Sequence, residues 1–303
     1  MIGMVPPAVD GPRAPLEAHE PQPELLPLTG SIWRLARDRD GSRKVQRALE
    51  FARGDEARAA VAGELKGHVW QGMQCPHANH VVQRCIESMP HRACQFILDE
   101  ITKKGPAGAA KAARHPYACR VLQRLLEHFP SDRLSVLVED LLTDGVLLAT
   151  HRYGTYVMQH ILEHGAVGAR QELTLRLSWH VRGLGQNPYA CMVLNKALRF
   201  AEAPERTLLG QALLHEPGLV ASMAQTRHGH PAVEQLLQGK CDEWELAEVQ
   251  RQLAEDRASL RVNRHGRSVL KCLDETRRAA SQSEAAAEAG GSSGAASSML
   301  GGA

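Results

Sequence analysis

The chain has 303 residues, with 36 lysines and arginines against 34 aspartates and glutamates, and only 4% of its residues are aromatic. This scarcity, with an abundance of Leu, Ala, Arg, Glu and Gln, favours helices over sheets. No apolar run reaches the roughly 18 to 20 residues of a membrane-spanning helix. Residues 1–7 also lack the basic and apolar regions of a secretory signal. We therefore expect an all-α protein with neither a membrane span nor a secretory signal.

The seven cysteines are scattered and form no C-x-x-C pair. They stand at positions 75, 85, 94, 119, 191, 241 and 272. An odd, unpaired set of this kind is typical of reduced thiols, which indicates a cytosolic or nuclear protein.

The net charge of +2 averages over unlike segments. Residues 1–30 hold seven of the 16 prolines and carry a net charge of −3, whereas residues 279–303 are mostly Ala, Ser and Gly and carry −2. Neither segment has enough periodic apolar surface to offset the entropy lost on ordering, so we predict that both are disordered. Removing them leaves residues 31–278 as a basic folded part with a net charge of +7.

Seven short blocks recur along this folded part. They are residues 41–46, 78–83, 118–123, 154–159, 190–195, 229–234 and 266–271, and their last residues lie 37, 40, 36, 36, 39 and 37 positions apart. Each block opens on Gly or Ala, and its apolar residues continue at the i, i+3 and i+4 spacing of a helix buried on one side. Further amphipathic stretches lie between the blocks. We predict two or three helices per repeat, stacked into a curved solenoid.

Each block carries three residues at positions i, i+1 and i+4, which we call the triplet. Positions i and i+4 share one helix face, while i+1 is displaced by about 100°. Such a triplet can grip the edge of a flat group and stack beside it. The triplets are Ser42/Arg43/Gln46, Asn79/His80/Gln83, Cys119/Arg120/Gln123, Thr155/Tyr156/Gln159, Cys191/Met192/Asn195, His230/Pro231/Glu234 and Arg267/Ser268/Lys271.

These blocks resemble Pumilio-homology (PUF) repeats. Tyr117-Ala-Cys-Arg-Val-Leu-Gln123 and Tyr153-Gly-Thr-Tyr-Val-Met-Gln-His-Ile-Leu-Glu-His164 are especially similar to family sequence. The resemblance covers about residues 31–278, and it is strong in the first four repeats, fair in the fifth and weak in the last two. The family usually has eight repeats, and seven are found here. The resemblance implies a curved α-solenoid that binds single-stranded RNA, one base per repeat, with the first repeat at the 3′ end.

Side-chain chemistry independently suggests which bases are read. A Gln amide beside a small residue matches adenine, an Asn and Gln pair matches uracil, and a glutamate accepts from guanine. Repeats one to four then specify A, U, A and a weaker U, repeat five specifies none, and repeat six leans to G, although His230 and Pro231 depart from the family pattern. The preference would be 5′-(n)G(n)UAUA-3′.

The expected contacts fall into three sets. Base edges would be met by Ser42, Gln46, Asn79, Gln83, Cys119, Gln123, Thr155, Gln159, Cys191, Asn195, His230 and Glu234. Bases would stack on Arg43, His80, Arg120, Tyr156 and Met192. Arg267 and Lys271 are cationic and more suited to phosphate than to a base.

The resemblance implies a post-transcriptional role. The partner would be messenger RNA, often its 3′ untranslated region, and recruited deadenylation or translational repressor proteins would act on it, with the protein a cytoplasmic monomer. Two alternatives remain open at this point. One is a nucleolar relative that contacts structured RNA in ribosome biogenesis, which the degenerate last triplets allow. The other is a helical-repeat scaffold that binds protein.

Catalytic signatures are weak. His160-Ile-Leu-Glu163-His164 matches the zinc-peptidase pattern H-x-x-E-H, but the preceding repeat has Arg124-Leu-Leu-Glu127-His128, so the match follows from the repeat. Cys119 and Cys191 could be nucleophiles, yet no base partner is evident. Phosphate-binding glycine motifs are absent from the sequence. We expect no enzyme activity, no cofactor and no metal.

Overall fold

The computed structural model describes residues 30–52, 54–238 and 243–292. All regular structure in these ranges is helical, and the twenty helices found there include none that is both long and apolar enough to cross a bilayer. The predicted all-α class is therefore confirmed.

The helices are grouped by repeat, in chain order. Repeat one comprises α1 (Ile32–Ala36), α2 (Arg39–Phe51) and α3 (Asp55–Gly63), repeat two α4 (Val69–Gln74), α5 (Ala78–Ser88) and α6 (His91–Thr102), and repeat three α7 (Gly105–Ala113), α8 (Ala118–His128) and α9 (Ser135–Thr143). Repeat four comprises α10 (Gly145–Ala149), α11 (Gly154–His164) and α12 (Val167–Ser178), and repeat five α13 (Val181–Gly185), α14 (Pro188–Phe200) and α15 (Ala203–His215). Repeat six comprises α16 (Leu219–Ala224), α17 (His230–Gln238) and α18 (Glu243–Glu255), and the last repeat α19 (Arg257–Val262) and α20 (Arg264–Ser292).

The second helix of every repeat carries the triplet, and we call it the triplet helix. Each triplet helix packs on the triplet helix of the next repeat, from α2 through to α20. The third helices of repeats two to six, α6 to α18, likewise contact one another in order. One hydrophobic cluster runs through the stack from Ile32 to Leu273, so each repeat covers its apolar face with its neighbours. The predicted solenoid is confirmed.

The small residue at the start of each block reflects a close approach between two helices of one repeat. A Cβ on Gly41 would lie 2.5 Å from the carbonyl oxygen of Leu35, and one on Gly154 would lie 2.7 Å from that of Leu148. Both carbonyls belong to the short first helix of the repeat. A larger side chain would therefore push the triplet helix away from its support. In repeats two, three and five a fully buried alanine takes this place.

The C-terminal segment differs from the sequence expectation. Disorder was predicted from residue 279, but α20 continues through that point to Ser292. Alanine and glutamate are strong helix formers, and a helix already nucleated in the last repeat can extend through them without a new nucleus. Residues 293–303 and 1–29, which carry the remaining disorder predictions, lie outside the described residues.

Candidate nucleic-acid interface

The triplets of the first five repeats share one pattern of exposure. The first residue is buried: Ser42, Asn79, Cys119, Thr155 and Cys191 are each at most 2% exposed. The second residue is exposed in repeats one to four, and the third is half-buried. Because the triplet helices pack in order, these second and third residues form one continuous surface, which we call the triplet surface.

The third-position glutamines are held in place by the first-position residues. Nε2 of Gln46 donates to Oγ of Ser42 at 2.9 Å, and Nε2 of Gln83 donates to Oδ1 of Asn79 at 2.8 Å. Gln159 makes the same contact with Oγ1 of Thr155 at 3.2 Å. In repeat three, the thiol side chain offers a weaker acceptor, and Gln123 donates to the backbone carbonyl of Cys119 at 3.1 Å. The amides are thus ordered before any ligand arrives, which reduces the entropy lost on binding.

The first-position residues donate hydrogen bonds to backbone carbonyls. The hydroxyl of Ser42 donates to His77 O at 3.0 Å and that of Thr155 donates to Tyr189 O at 3.0 Å, both in the following repeat. Asn79 donates to Cys75 O at 2.8 Å. These residues tie repeats or helix turns together and set the glutamine. Both positions are predicted from the sequence to meet a base edge, whereas the structure makes the glutamine the more accessible of the two.

The second position presents planar groups to solvent. Arg43, His80, Arg120 and Tyr156 are all exposed, one on each of four successive triplet helices. Met192, the corresponding residue in repeat five, is half-buried and not planar. A guanidinium, imidazole or phenol ring in such a position can stack on a base.

Repeats five to seven are different. Oδ1 of Asn195 is buried and has no hydrogen-bond partner among the described residues. Glu234 accepts from the hydroxyl of Ser268 at 2.8 Å, so the two final triplets contact each other. Arg267 donates to the backbone carbonyl of Arg261 at 3.2 Å, and Lys271 lies 3.8 Å from Glu275. Arg267 and Lys271, the two expected phosphate ligands, thus each have a contact within the protein but remain exposed to solvent.

The structure reveals a second recurring position, which the sequence did not predict. The residue three before the small residue of the block accepts hydrogen bonds from backbone N–H groups at the start of the triplet helix. Asp38 accepts from Gly41, His115 from Ala118, His151 from Gly154, Asn187 from Ala190 and Thr226 from Gly229, at 2.8 to 3.3 Å. Such caps satisfy donors that have no partner within the helix. Burial lowers the pKa of His115 and His151, which accept through Nδ1. Because Asp, His, Asn and Thr all occur at this position, its recurrence could not be recognised from residue identity.

Ion pairs also cross from repeat to repeat, next to the triplet surface. The basic residue of each pair follows the third triplet residue directly, and its glutamate lies on the preceding triplet helix. The pairs are Arg124 with Glu87 at 3.1 Å, His160 with Glu127 at 2.7 Å and Lys196 with Glu163 at 2.5 Å. We call this series the ion ladder. Hydrogen bonding from Lys196 lowers the pKa of Glu163.

The residues of the H-x-x-E-H pattern have different partners in the ion ladder. Glu163 pairs with Lys196, while His160 pairs with Glu127 of the preceding repeat. Glu127, His160 and His164 do have ligand atoms within 4.8 Å of one another, so these three could hold a divalent cation. His160 also lies 2.8 Å from Tyr156 O, and Arg124 bonds Glu127. The group is thus already joined by protein contacts.

The two triplet cysteines do not have the environment of nucleophiles. Burial raises the pKa of Cys119 and raises that of Cys191 to about 11. The nucleophilic form of cysteine is the thiolate, so both side chains remain unreactive thiols near neutral pH. They act instead as small buried residues beneath the triplet surface.

Comparison with known proteins identifies the class. The family model for the Pumilio-family RNA binding repeat matches residues 31–65, 73–102, 113–142, 146–174 and 180–214, together more than half of the chain. The chain belongs to this family of RNA-binding repeat proteins, which is not a family of enzymes. The matched stretches are repeats one to five, and the structure adds a sixth repeat of three helices and a last repeat of two.

Relatives are distant, and the chain is shorter than they are. A Pumilio domain-containing protein of Schizosaccharomyces pombe is 24% identical over 65% of this chain and 27% of its own length. Pumilio homolog 12 of Arabidopsis thaliana is 24% identical over 80% of this chain and 40% of its length. Fem-3 mRNA-binding factor 2 of Caenorhabditis elegans is 27% identical over 42% of this chain and 22% of its length.

Solved structures share the fold. The crystal structure of PUF-8 in complex with PBE-RNA has a TM-score of 0.73 at 23% identity, covering 82% of this chain and 72% of that one. The Puf3 RNA binding domain bound to the Cox17 RNA 3′ UTR recognition sequence site A has a TM-score of 0.71 at 21% identity, covering 82% and 75%.

Proposed function

We propose that this protein binds single-stranded RNA in a sequence-specific way along the triplet surface. The observation that carries the proposal is the repetition, on four packed helices, of an exposed planar group beside a prearranged glutamine amide. The planar group offers a stacking surface, worth roughly 1–3 kcal/mol per base, and the amide offers a donor and an acceptor. The solved structures of RNA-bound relatives with this fold support the same use of it.

The proposed sequence preference ends in AUA at the 3′ side. Gln46 with Ser42 and Gln123 with Cys119 suit adenine, because the small first residue leaves room for a purine. Gln83 with Asn79 suits uracil. Repeat four adds a weaker preference for U and repeat six a lean towards G.

We further propose a role in post-transcriptional regulation. One structural relative is bound to a 3′ UTR recognition sequence, and one relative in sequence is named as an mRNA-binding factor. The expected target is a short element in messenger RNA, bound by a cytoplasmic monomer that recruits deadenylation or translational repressor proteins.

A nucleolar role in ribosome biogenesis is the second candidate. It is favoured by the last three repeats, where the triplet residues are engaged with the protein or lack a planar group. A protein of that kind would contact structured RNA through its charge, and its affinity would not depend on the AUA bases.

Selection of bound RNA from a random pool tests the proposal. Wild-type protein should enrich sequences ending in AUA, and Gln46→Glu should move the preferred 3′-terminal base from A towards G, because a carboxylate accepts from N1–H and N2–H₂ of guanine. Gln250→Glu is the matched control: Gln250 lies on α18 and accepts from Arg277 at 3.2 Å, so a carboxylate there keeps its partner. An unchanged consensus in the Gln46 variant would remove this residue from readout, and no enrichment at all would reject sequence-specific binding.

A further inference from the structure

A basic cavity lies where repeats six and seven meet. It is lined by Arg227, His230, Arg264, His265 and Ser268 and has a volume of about 600 Å³. Arg227 is in the turn before α17, and the other four lie in the first turns of α17 and α20. Both arginines are exposed, so their guanidinium groups can be reached from solvent.

The cavity gathers groups that repel one another. The rings of His230 and His265 lie 4.7 Å apart. Partial burial lowers the pKa of His265, and the neighbouring His230, Arg264 and Arg227 lower it further. His228, in the same turn as Arg227, acts in the same direction. Mutual repulsion of this kind is relieved when an anion binds between the groups.

One carboxylate adjoins the cavity and offsets part of its positive charge. Glu234, on α17, faces α20 and accepts from the hydroxyl of Ser268 at 2.8 Å. Nδ1 of His230 lies 3.1 Å from Thr226 O, which leaves Nε2 as the nitrogen available to a ligand. Two guanidinium groups and two imidazoles match the donors that phosphate oxygens accept from.

The cavity lies on the path of the triplets. His230 is the first triplet residue of repeat six, and Ser268 is the second triplet residue of repeat seven. A strand that follows the triplet surface from repeat one would reach this point after its last specified base. Repeat seven would then contact the sugar–phosphate backbone of the RNA rather than a base.

We propose that this cavity binds a phosphate group of the RNA, immediately 5′ of the base read by repeat six. The inference rests on the proposed function and adds a backbone site separate from Arg267 and Lys271. It also adds a pH dependence, because a bound phosphate favours the protonated form of His265, whose charge the surrounding basic groups otherwise disfavour. The 5′-extended RNA should therefore bind more tightly as the pH falls, over and above any change seen with a shorter RNA.

Two RNAs measured by fluorescence anisotropy test the site. A short RNA ends, with a 5′ hydroxyl, at the base facing repeat six, and an extended RNA carries three further 5′ nucleotides. Wild-type protein should bind the extended RNA more tightly, by about tenfold if one charge-assisted contact is gained. Arg264→Gln should remove most of that gain and leave affinity for the short RNA unchanged. Arg278→Gln is the matched control, with the same charge change further along α20, and should keep the gain.

The outcomes separate this site from the function on which it rests. If the short RNA does not bind, the proposed function fails. If the short RNA binds but extension gives no gain, or Arg264→Gln and Arg278→Gln behave alike, the cavity is not a phosphate site. A double variant, His230→Gln with His265→Gln, should abolish the extra pH dependence of the extended RNA; persistence of that dependence would also overturn the proposal. Inorganic phosphate, added at the same concentration as the extended RNA, is the last probe. If it raised the affinity for the short RNA as much as the extension does, the cavity would be a site for a free anion rather than for the strand.

Discussion

Asn195 differs from the corresponding residues of the first four repeats. It occupies the third triplet position of repeat five, where repeats one to four have glutamine. Its side chain is one methylene shorter, and Oδ1 is buried without a hydrogen-bond partner in the described part of the chain. The shorter side chain therefore reaches less far over the triplet surface than the glutamines of repeats one to four.

We expect Asn195→Gln to create a readable repeat. With Cys191 beneath it, the new glutamine would reproduce the Cys119 and Gln123 arrangement of repeat three. Affinity for an RNA with A at the fifth position, counted from the 3′ end, should rise about fivefold over the other bases, as one additional net hydrogen bond predicts. Binding to four RNAs that differ only at that base measures the effect. Asn195→Ala is the control and should leave the four affinities equal; equal affinities in the Gln variant would contradict the prediction.

At the scale of single residues, the sequence revealed which positions recur but not how each is used. The triplet residues were found from spacing, and the second members of repeats one to four are exposed. The burial of Ser42 and Thr155 could not be predicted, because their hydroxyls bond carbonyls 35 and 34 residues away along the chain. Only the approach of the next repeat makes them structural residues.

The start of each triplet helix is an element-level feature with a pH dependence. His115 and His151 cap their helices through a neutral Nδ1, and their pKa values are lowered in the folded state. As the pH falls below about 6.5, the unfolded chain takes up protons at these rings before the folded protein does. Their contribution to stability is complete above that pH and is lost as the pH falls through the folded-state values.

The double variant His115→Asn with His151→Asn should therefore lose less thermal stability on acidification. Asparagine already caps α14 from position 187 with the same backbone contacts, and it does not titrate in this range. Melting temperatures at about pH 7.5 and about pH 5.5 measure the effect. His128→Asn changes an exposed histidine with no capping role and should keep the wild-type difference. A double variant as acid-sensitive as the wild type would show that these caps are not responsible.

The ion ladder links neighbouring elements. Glu127 accepts from both Arg124 and His160, so Glu127→Gln should weaken two contacts at once. The side chains are partly exposed, and we expect a loss of about 1 kcal/mol in the free energy of unfolding, measured by urea denaturation. Glu50→Gln at the matching position of repeat one is the control, since the described residues offer Glu50 no ion pair. Equal losses in the two variants would show that the ladder adds no stability.

At the scale of the whole molecule, charge is unevenly distributed. The +7 carried by residues 31–278 is hidden in the overall +2 by acidic ends. If the array neutralises phosphates, RNA affinity should fall linearly as salt rises on a log–log plot, with a slope of about −0.7 for each phosphate contacted. Titrations over a range of potassium chloride concentrations measure that slope. A salt-independent affinity would favour a protein-binding scaffold instead.

The overall architecture could largely be predicted from the sequence. The period, the seven repeats and the helix that carries each triplet all follow from the apolar pattern, because a stacked array repeats its core. The cavity between repeats six and seven could not be predicted, since Arg227 and Arg264 come together only when α17 packs on α20. The continuation of α20 past residue 278 does not follow from the composition of residues 279–303 alone, because the preceding part of the helix provides the nucleus.

The ion ladder also bears on how such an array can be rearranged. Each basic residue belongs to one repeat and its glutamate to the repeat before it. Shuffling the units would therefore separate each of these three basic residues from its own glutamate, even though the triplets moved intact. When repeats are recombined or duplicated, the ladder continues only across junctions that place a basic residue opposite a glutamate.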